Sequence, residues 1–208
     1  MMRKIDLIVI HCSATREDRT LTQDDLETLH RRRGFNGTGY HYYIRKDGRV
    51  VLTRPLERVG AHTKGWNAHS VGVCYEGGLD CHGRPADTRT PAQRATLRLL
   101  VHQLLETFPG SRVCGHRDLS PDRNGNGEIE PEEWIKACPC FEVAGLFTEN
   151  TVKAGKVEGT EAVPEIGKGK EVCGIMAMKK SVWDMILKVV IAVASAVAGV
   201  LGANAMNL

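Results

Sequence analysis

Ile5-Asp6-Leu7-Ile8-Val9-Ile10-His11-Cys12 is the stretch on which the fold of this chain turns. From Ile5 to Ile10 it is a run of β-branched and leucine side chains with one acid, Asp6, and it lacks the alternation of a strand with a wet face. Such a run suits a strand buried on both sides, so other elements must cover both faces of its sheet. The run ends on His11 and breaks into the small residues Cys12-Ser13-Ala14-Thr15. A histidine at the mouth of a buried strand is placed to hold a metal or face a cleft, and equally to be a hydrogen-bonded structural residue.

Working outward, Thr22 is an N-cap with Asp25 three residues on, and Leu26 and Leu29 form one apolar stripe up to Gly34. This predicts a short surface helix. Its end carries Arg31-Arg32-Arg33, cations that complement a helix C-terminus and read as a solvated face rather than a phosphate site. Tyr40 to Arg45 and Arg49 to Arg54 flank Lys46-Asp47-Gly48, where Asp-Gly signals a hairpin. Ser70 to Glu76 reads as a further strand. Thr90-Pro91-Ala92-Gln93 is a capping box with proline at the first helical position, followed by Leu97, Leu100, Val101, Leu104, Leu105 and Phe108 at helical spacing. Pro109-Gly110 ends that helix, and Arg112 to Gly115 forms a last short strand that delivers His116. Strands alternate with helices, yet the hairpin requires antiparallel pairing. The expected class is therefore α/β, a mixed central sheet flanked by helices.

At 208 residues and 42% hydrophobic content, the chain can bury one domain of catalytic size and carry something extra. A net charge of +3 with interleaved signs gives no nucleic-acid footprint. Seven scattered cysteines, an odd number, do not form the framework of a small secreted scaffold and imply folding in a reducing compartment. Met1 to Asp6 carries no apolar signal segment, so synthesis in the cytoplasm without conventional export is expected.

Between the hairpin and the next strand lies Gly60-Ala61-His62-Thr63-Lys64-Gly65-Trp66-Asn67, a polar loop of the kind that forms substrate surface. Together with His11-Cys12-Ser13-Ala14-Thr15, Gly39-Tyr40-His41, Gly115-His116-Arg117-Asp118 and Lys136-Ala137-Cys138-Pro139, it makes five motifs in fixed order. In that order they resemble the type 2 N-acetylmuramoyl-L-alanine amidases, which include short phage lysozyme-type amidases and peptidoglycan recognition proteins. The resemblance covers residues 5 to about 145 and implies an endolysin-like, bacteriolytic hydrolase of peptidoglycan, with a monomeric catalytic domain.

The resemblance further implies that His11, His116 and Cys138 ligate a catalytic zinc with water at the open position, a donor set suited to that metal. Cys140 is a competing ligand, and the resemblance favours the cysteine directly before Pro139. Tyr40 corresponds to a catalytic tyrosine that orients the water, and Lys136 to a lysine that stabilises the oxyanion. His62, Lys64, Trp66 and Asn67 would line the substrate groove. The implied reaction is hydrolysis of the amide between N-acetylmuramic acid and L-alanine of the stem peptide. A non-catalytic peptidoglycan-binding module is the alternative, against which the retained Cys138 and Tyr40 argue. Cys12, Cys74 and Cys114 read as small buried hydrophobes in or beside strands.

Between His116 and Cys138 the chain departs from the phage-type pattern with an insertion over 122–133. It matches the twelve-residue EF-hand loop, with Asp122, Asn124, Asn126, Gly127, Glu128, Ile129 and Glu133 in register. It reads as a calcium site or as a polar turn capping an exit helix from Pro131 to Ala137.

The remainder divides into the amidase domain at 1–148, a flexible Gly-, Lys- and Glu-containing linker at 149–177, and an apolar helical tail at 178–208. Val189 to Leu208 has no charged residue for 20 positions, which suits a membrane-associating helix within 182–208 or a helix packed on a partner. Ala194, Ala198 and Gly202 would allow close helix approach. From Met178-Lys179-Lys180 the tail is similar to the very short bacterial smalltalk proteins. A membrane-tethered interaction protein is a third functional class.

Overall fold

All six residues of the first strand, β1 (Leu7–Cys12), are buried, as a strand without a wet face requires. The computed structural model describes residues 3–144, 146 and 147, within one unit spanning residues 1–157. After β1 come β2 (Thr15–Arg16), α1 (Gln23–Arg32), β3 (Tyr42–Ile44), β4 (Val50–Leu52), β5 (Ser70–Tyr75), β6 (Gly78–Leu79), α2 (Pro91–Thr107) and β7 (Arg112–Gly115). The linker and the apolar tail, with its membrane expectation, lie outside the described residues. Among the described residues no helix is long and apolar enough to cross a membrane.

The main sheet has the order β4-β3-β5-β1-β7. β1 is parallel to both β5 and β7, β3 is parallel to β5, and the β3–β4 hairpin is antiparallel. The sheet is thus mixed, for the reason the Asp-Gly turn supplied. A separate parallel pair, β2 with β6, spans only two residues per strand and carries no periodic signal.

Period-two alternation assigns the two faces. Ile8 and Ile10 of β1 join Val71, Val73 and Tyr75 of β5 beneath Leu97, Leu100, Val101 and Leu104 of α2. On the opposite face Leu7, Val9 and Cys114 are covered by Trp66 and Leu119, while Leu26 of α1 packs with Tyr43 and Cys74. Both helices start with the predicted capping boxes, Thr22 with Asp25 and Thr90 with Gln93. Such caps contribute about 1 kcal/mol each. Gln93 is wholly buried and its Nε2 donates to the carbonyls of Ile44 and Glu76, which seats α2 on two strands.

Two local expectations are corrected. In α1 the stripe includes Leu26 but not Leu29, which is exposed; the second buried position is His30, whose Nδ1 accepts from the Gly39 N–H at 3.0 Å. The helix expected over Pro131 to Ala137 is only a 3-10 turn, Pro131–Glu133. There the chain leaves in extended conformation at Trp134, and the Ile135 N–H bonds to Ser120 Oγ instead of to a helical carbonyl.

Candidate metal centre and cleft

The register of three parallel strands builds the site at their carboxyl ends, where ligands bind in open α/β sheets. Val9 lies opposite Cys114 and Ile10 opposite Gly115, so the next residue on that side, His116, comes level with His11. The His116 N–H donates to the Ile10 carbonyl at 3.1 Å, and the two imidazole centroids lie 4.7 Å apart. His11 is fully buried and His116 half-buried.

Cys138 arrives on a loop that is tied down at several points. Its carbonyl accepts the Arg117 N–H at 2.8 Å, its Sγ accepts the Cys12 N–H at 3.2 Å, and the next carbonyl, of Pro139, accepts the Tyr75 hydroxyl at 2.7 Å. The sulfur then lies 3.8 Å from His11 Nδ1. One ligand atom each from His11, His116 and Cys138 falls within 4.8 Å of the others, the one such histidine, cysteine or acid group among the described residues. Nitrogen and sulfur on one tetrahedral zinc stand about 3.5 Å apart. The donor set and its spacing therefore fit zinc after a small contraction. Burial and the Lys136 charge hold His116 down to about 4; burial and nearby His62, His116 and Lys136 hold His11 well below its ordinary range. Both imidazoles are thus neutral near pH 7, the form a metal requires.

Tyr40 lies beside this cluster, its ring 5.0 Å from that of His11 and 5.3 Å from that of His30. Its carbonyl accepts the Thr53 hydroxyl at 2.8 Å. Burial raises its phenol pKa well above the ordinary value, with nearby Cys74, Cys138 and Cys12 adding to the shift. Lys136 is exposed, close enough for its charge to depress both His11 and His116. Of the loop residues, Lys64 is exposed and Trp66 half-buried against Leu7, Val9 and Cys114. Asn67 Oδ1 accepts the N–H groups of His62 and Thr63, both at 2.9 Å, so this side chain shapes its own loop. His62 turns inward onto His11.

Cys140 lies outside the cluster, its Sγ 3.7 Å from Cys12 Sγ. Cys12, Cys74 and Cys114 are buried thiols.

In the 122–133 loop the oxygens read as calcium ligands accept backbone N–H groups. Asp122 takes Gly125 and Gly127, Asn124 takes Asn126, Asn126 takes Glu128, and Glu133 takes Arg123, Asn124 and Glu130. These hydrogen bonds fold the loop upon itself, and a calcium ion there is not supported.

Sequence reasoning gave no role to Arg117, whose N–H holds the Cys138 carbonyl, or to His30, Ser70 and His41, which bond Gly39, His62 and Gly72 around the site. Arg117 carries its guanidinium 4.1 Å above the Trp134 ring and pairs with Glu142 at 2.7 Å. The adjacency of Arg117 to His116 was the one available signal.

The sequence profile of the N-acetylmuramoyl-L-alanine amidase family matches residues 1–132, and a family of unknown function matches residues 178–208. The chain is 36% identical over 143 residues to the endolysin of Klebsiella phage KP32, covering 69% of this chain and 85% of that one. It is 34% identical over 145 residues to the endolysin of Escherichia phage T7, covering 70% and 87%. Among solved structures, the N-acetylmuramoyl-L-alanine amidase LysC from Clostridium intestinale URNW superposes with a TM-score of 0.53 at 27% identity, covering 73% of this chain and 85% of that one. Fold and relatives define the class, an endolysin-like peptidoglycan hydrolase. This chain belongs to the N-acetylmuramoyl-L-alanine amidase family.

Proposed function

We propose that this chain is a zinc-dependent N-acetylmuramoyl-L-alanine amidase that acts on the cell wall, cleaving the amide between the lactyl group of N-acetylmuramic acid and L-alanine of the stem peptide. The observation that carries the reading is the meeting of His11 Nδ1, His116 and Cys138 Sγ beside Tyr40 and Lys136, in a chain of amidase ancestry. His11, His116 and Cys138 would hold the zinc, which when bound supplies a water of lowered pKa and a polarised scissile carbonyl.

The chain's own groups do the rest. Tyr40 keeps its phenolic proton at neutral pH, so its hydroxyl is a donor that orients the attacking water. Lys136 brings a positive charge to the mouth of the same cluster, where it stabilises the negative charge that develops on the carbonyl oxygen. Lys64 and Trp66 offer a cation and an aromatic surface to the glycopeptide along the loop that follows β4. We assign this chemistry to residues 1–148, with 149–177 as linker and 178–208 as an apolar tail.

The test is digestion of purified peptidoglycan by the full chain, with and without a chelator. New amino termini without new reducing sugars are expected, abolished by the chelator and restored by zinc. Release that is unaffected by metal removal would overturn the reading. Tyr40→Phe and Lys136→Ala should each lower the rate about 10²- to 10³-fold while zinc content stays at the wild-type level.

A further inference from the structure

We propose that His62 is a positioning residue for the metal centre: it fixes the His11 imidazole so that Nδ1 is the nitrogen presented to Cys138 and His116. The proposal rests on the zinc reading above. His11 Nε2 lies 3.0 Å from His62 Nδ1, and His62 Nε2 lies 3.3 Å from Ser70 Oγ. A neutral imidazole carries one N–H. With His11 Nδ1 facing the Cys138 sulfur at 3.8 Å, its proton belongs on Nε2, where His62 Nδ1 accepts it. The proton of His62 then lies on Nε2 and points to Ser70. Thr63 Oγ1, 3.3 Å from the same His62 Nδ1, is a weaker partner by distance.

The fold builds a slot for this ring. A Cβ placed on Gly60 would stand 2.5 Å from His62 Cδ2, and one on Gly72 would stand 2.6 Å from the same atom, so the imidazole lies where only two glycines leave room. The His62 N–H is fastened to Asn67 Oδ1 at 2.9 Å, which stops the backbone from turning the ring outward. Ser70 is fully buried on β5, a rigid support for the far nitrogen. Metal-bound histidines characteristically have their second nitrogen held in this way, usually by a carboxylate or carbonyl; here an imidazole and a serine serve. The ring thus stands between the His11 ligand and Ser70.

The test compares the full-length wild type with His62→Leu and His62→Asn, since asparagine offers an oxygen near the place of Nδ1. In competition with a chromogenic zinc chelator, His62→Leu should bind zinc about tenfold to a hundredfold more weakly, and His62→Asn should recover most of that loss. Nitrogen-15 imidazole spectra of the zinc-loaded wild type should show His11 and His62 each protonated at Nε2, a readout that a merely structural role would not move. Unchanged zinc affinity in His62→Leu, or a proton on Nδ1 of either ring, overturns the proposal. If His62→Leu fails to fold, the wild-type spectra decide alone. A wild type that takes up no zinc overturns the metal reading, and this proposal with it.

Discussion

The Arg117 guanidinium lies 4.1 Å above the Trp134 ring while the Arg117 N–H holds the Cys138 carbonyl at 2.8 Å. One residue thus clamps the segment bearing Lys136 and Cys138 against the strand end that bears His116. Its ion pair with Glu142 is solvent-screened on the glutamate side, so the stacking and burial of Arg117 matter more.

Arg117→Met should therefore lower stability by about 1 to 2 kcal/mol, read as a fall in melting temperature. It should also weaken zinc retention, because the segment that carries Lys136 and Cys138 loses the Trp134 stacking contact while the backbone bond to Cys138 remains. Glu142→Gln should be nearly silent in the same melts.

The two neighbouring cysteines should separate cleanly. Cys138→Ser is expected to abolish amidase activity and to reduce zinc uptake, since its sulfur lies within the donor cluster. Cys140→Ser, whose sulfur faces Cys12 instead, should keep both. Zinc analysis of the purified variants alongside the peptidoglycan assay distinguishes them, and equal loss in both would contradict the geometry.

Acid should destabilise the metal-free protein. His41 is buried with its Nδ1 accepting the Gly72 N–H, and burial pushes its pKa down to about 4. The unfolded chain protonates this group near 6.5, so between those values the unfolded state binds more protons. The contribution is present above about pH 6.5 and is lost as pH falls through about 4, on the order of 3 kcal/mol at most. Denaturant melts from pH 7.5 to 4 should show falling stability; a flat profile would contradict the buried neutral state.

The Asp122 and Glu133 oxygens accept backbone N–H groups and so hold the 122–133 loop closed. Asp122→Ala should therefore cost about 1 kcal/mol, read as a fall in melting temperature, through loss of two loop hydrogen bonds. An unchanged melting temperature in Asp122→Ala would contradict that role.

Much of the local structure is legible in the sequence, though not the exposure of Leu29 or the shortness of the Pro131–Glu133 turn. The capping boxes at Thr22 and Thr90 and the turn at Asp47-Gly48 each involve residues within a few positions, so their chemistry is written in the order of the chain. The same holds for β1, whose unbroken apolar run demanded cover on both faces. The β2–β6 pair was not legible, because two residues per strand carry no period. The burial of His30 carries no local signal, because it depends on a hydrogen bond from Gly39, which lies outside the helix.

The sequence by itself determined the mixed α/β architecture, the identity of the motif residues and their family resemblance. Only the tertiary structure decided how they stand to one another. Parallel register, with its period of two, puts His116 level with His11 on one face. Packing sets His62 against the His11 ring, and a clamped loop selects Cys138 over Cys140 for the cluster. Each of these depends on contacts between positions tens of residues apart, and such contacts exist only after the chain has folded.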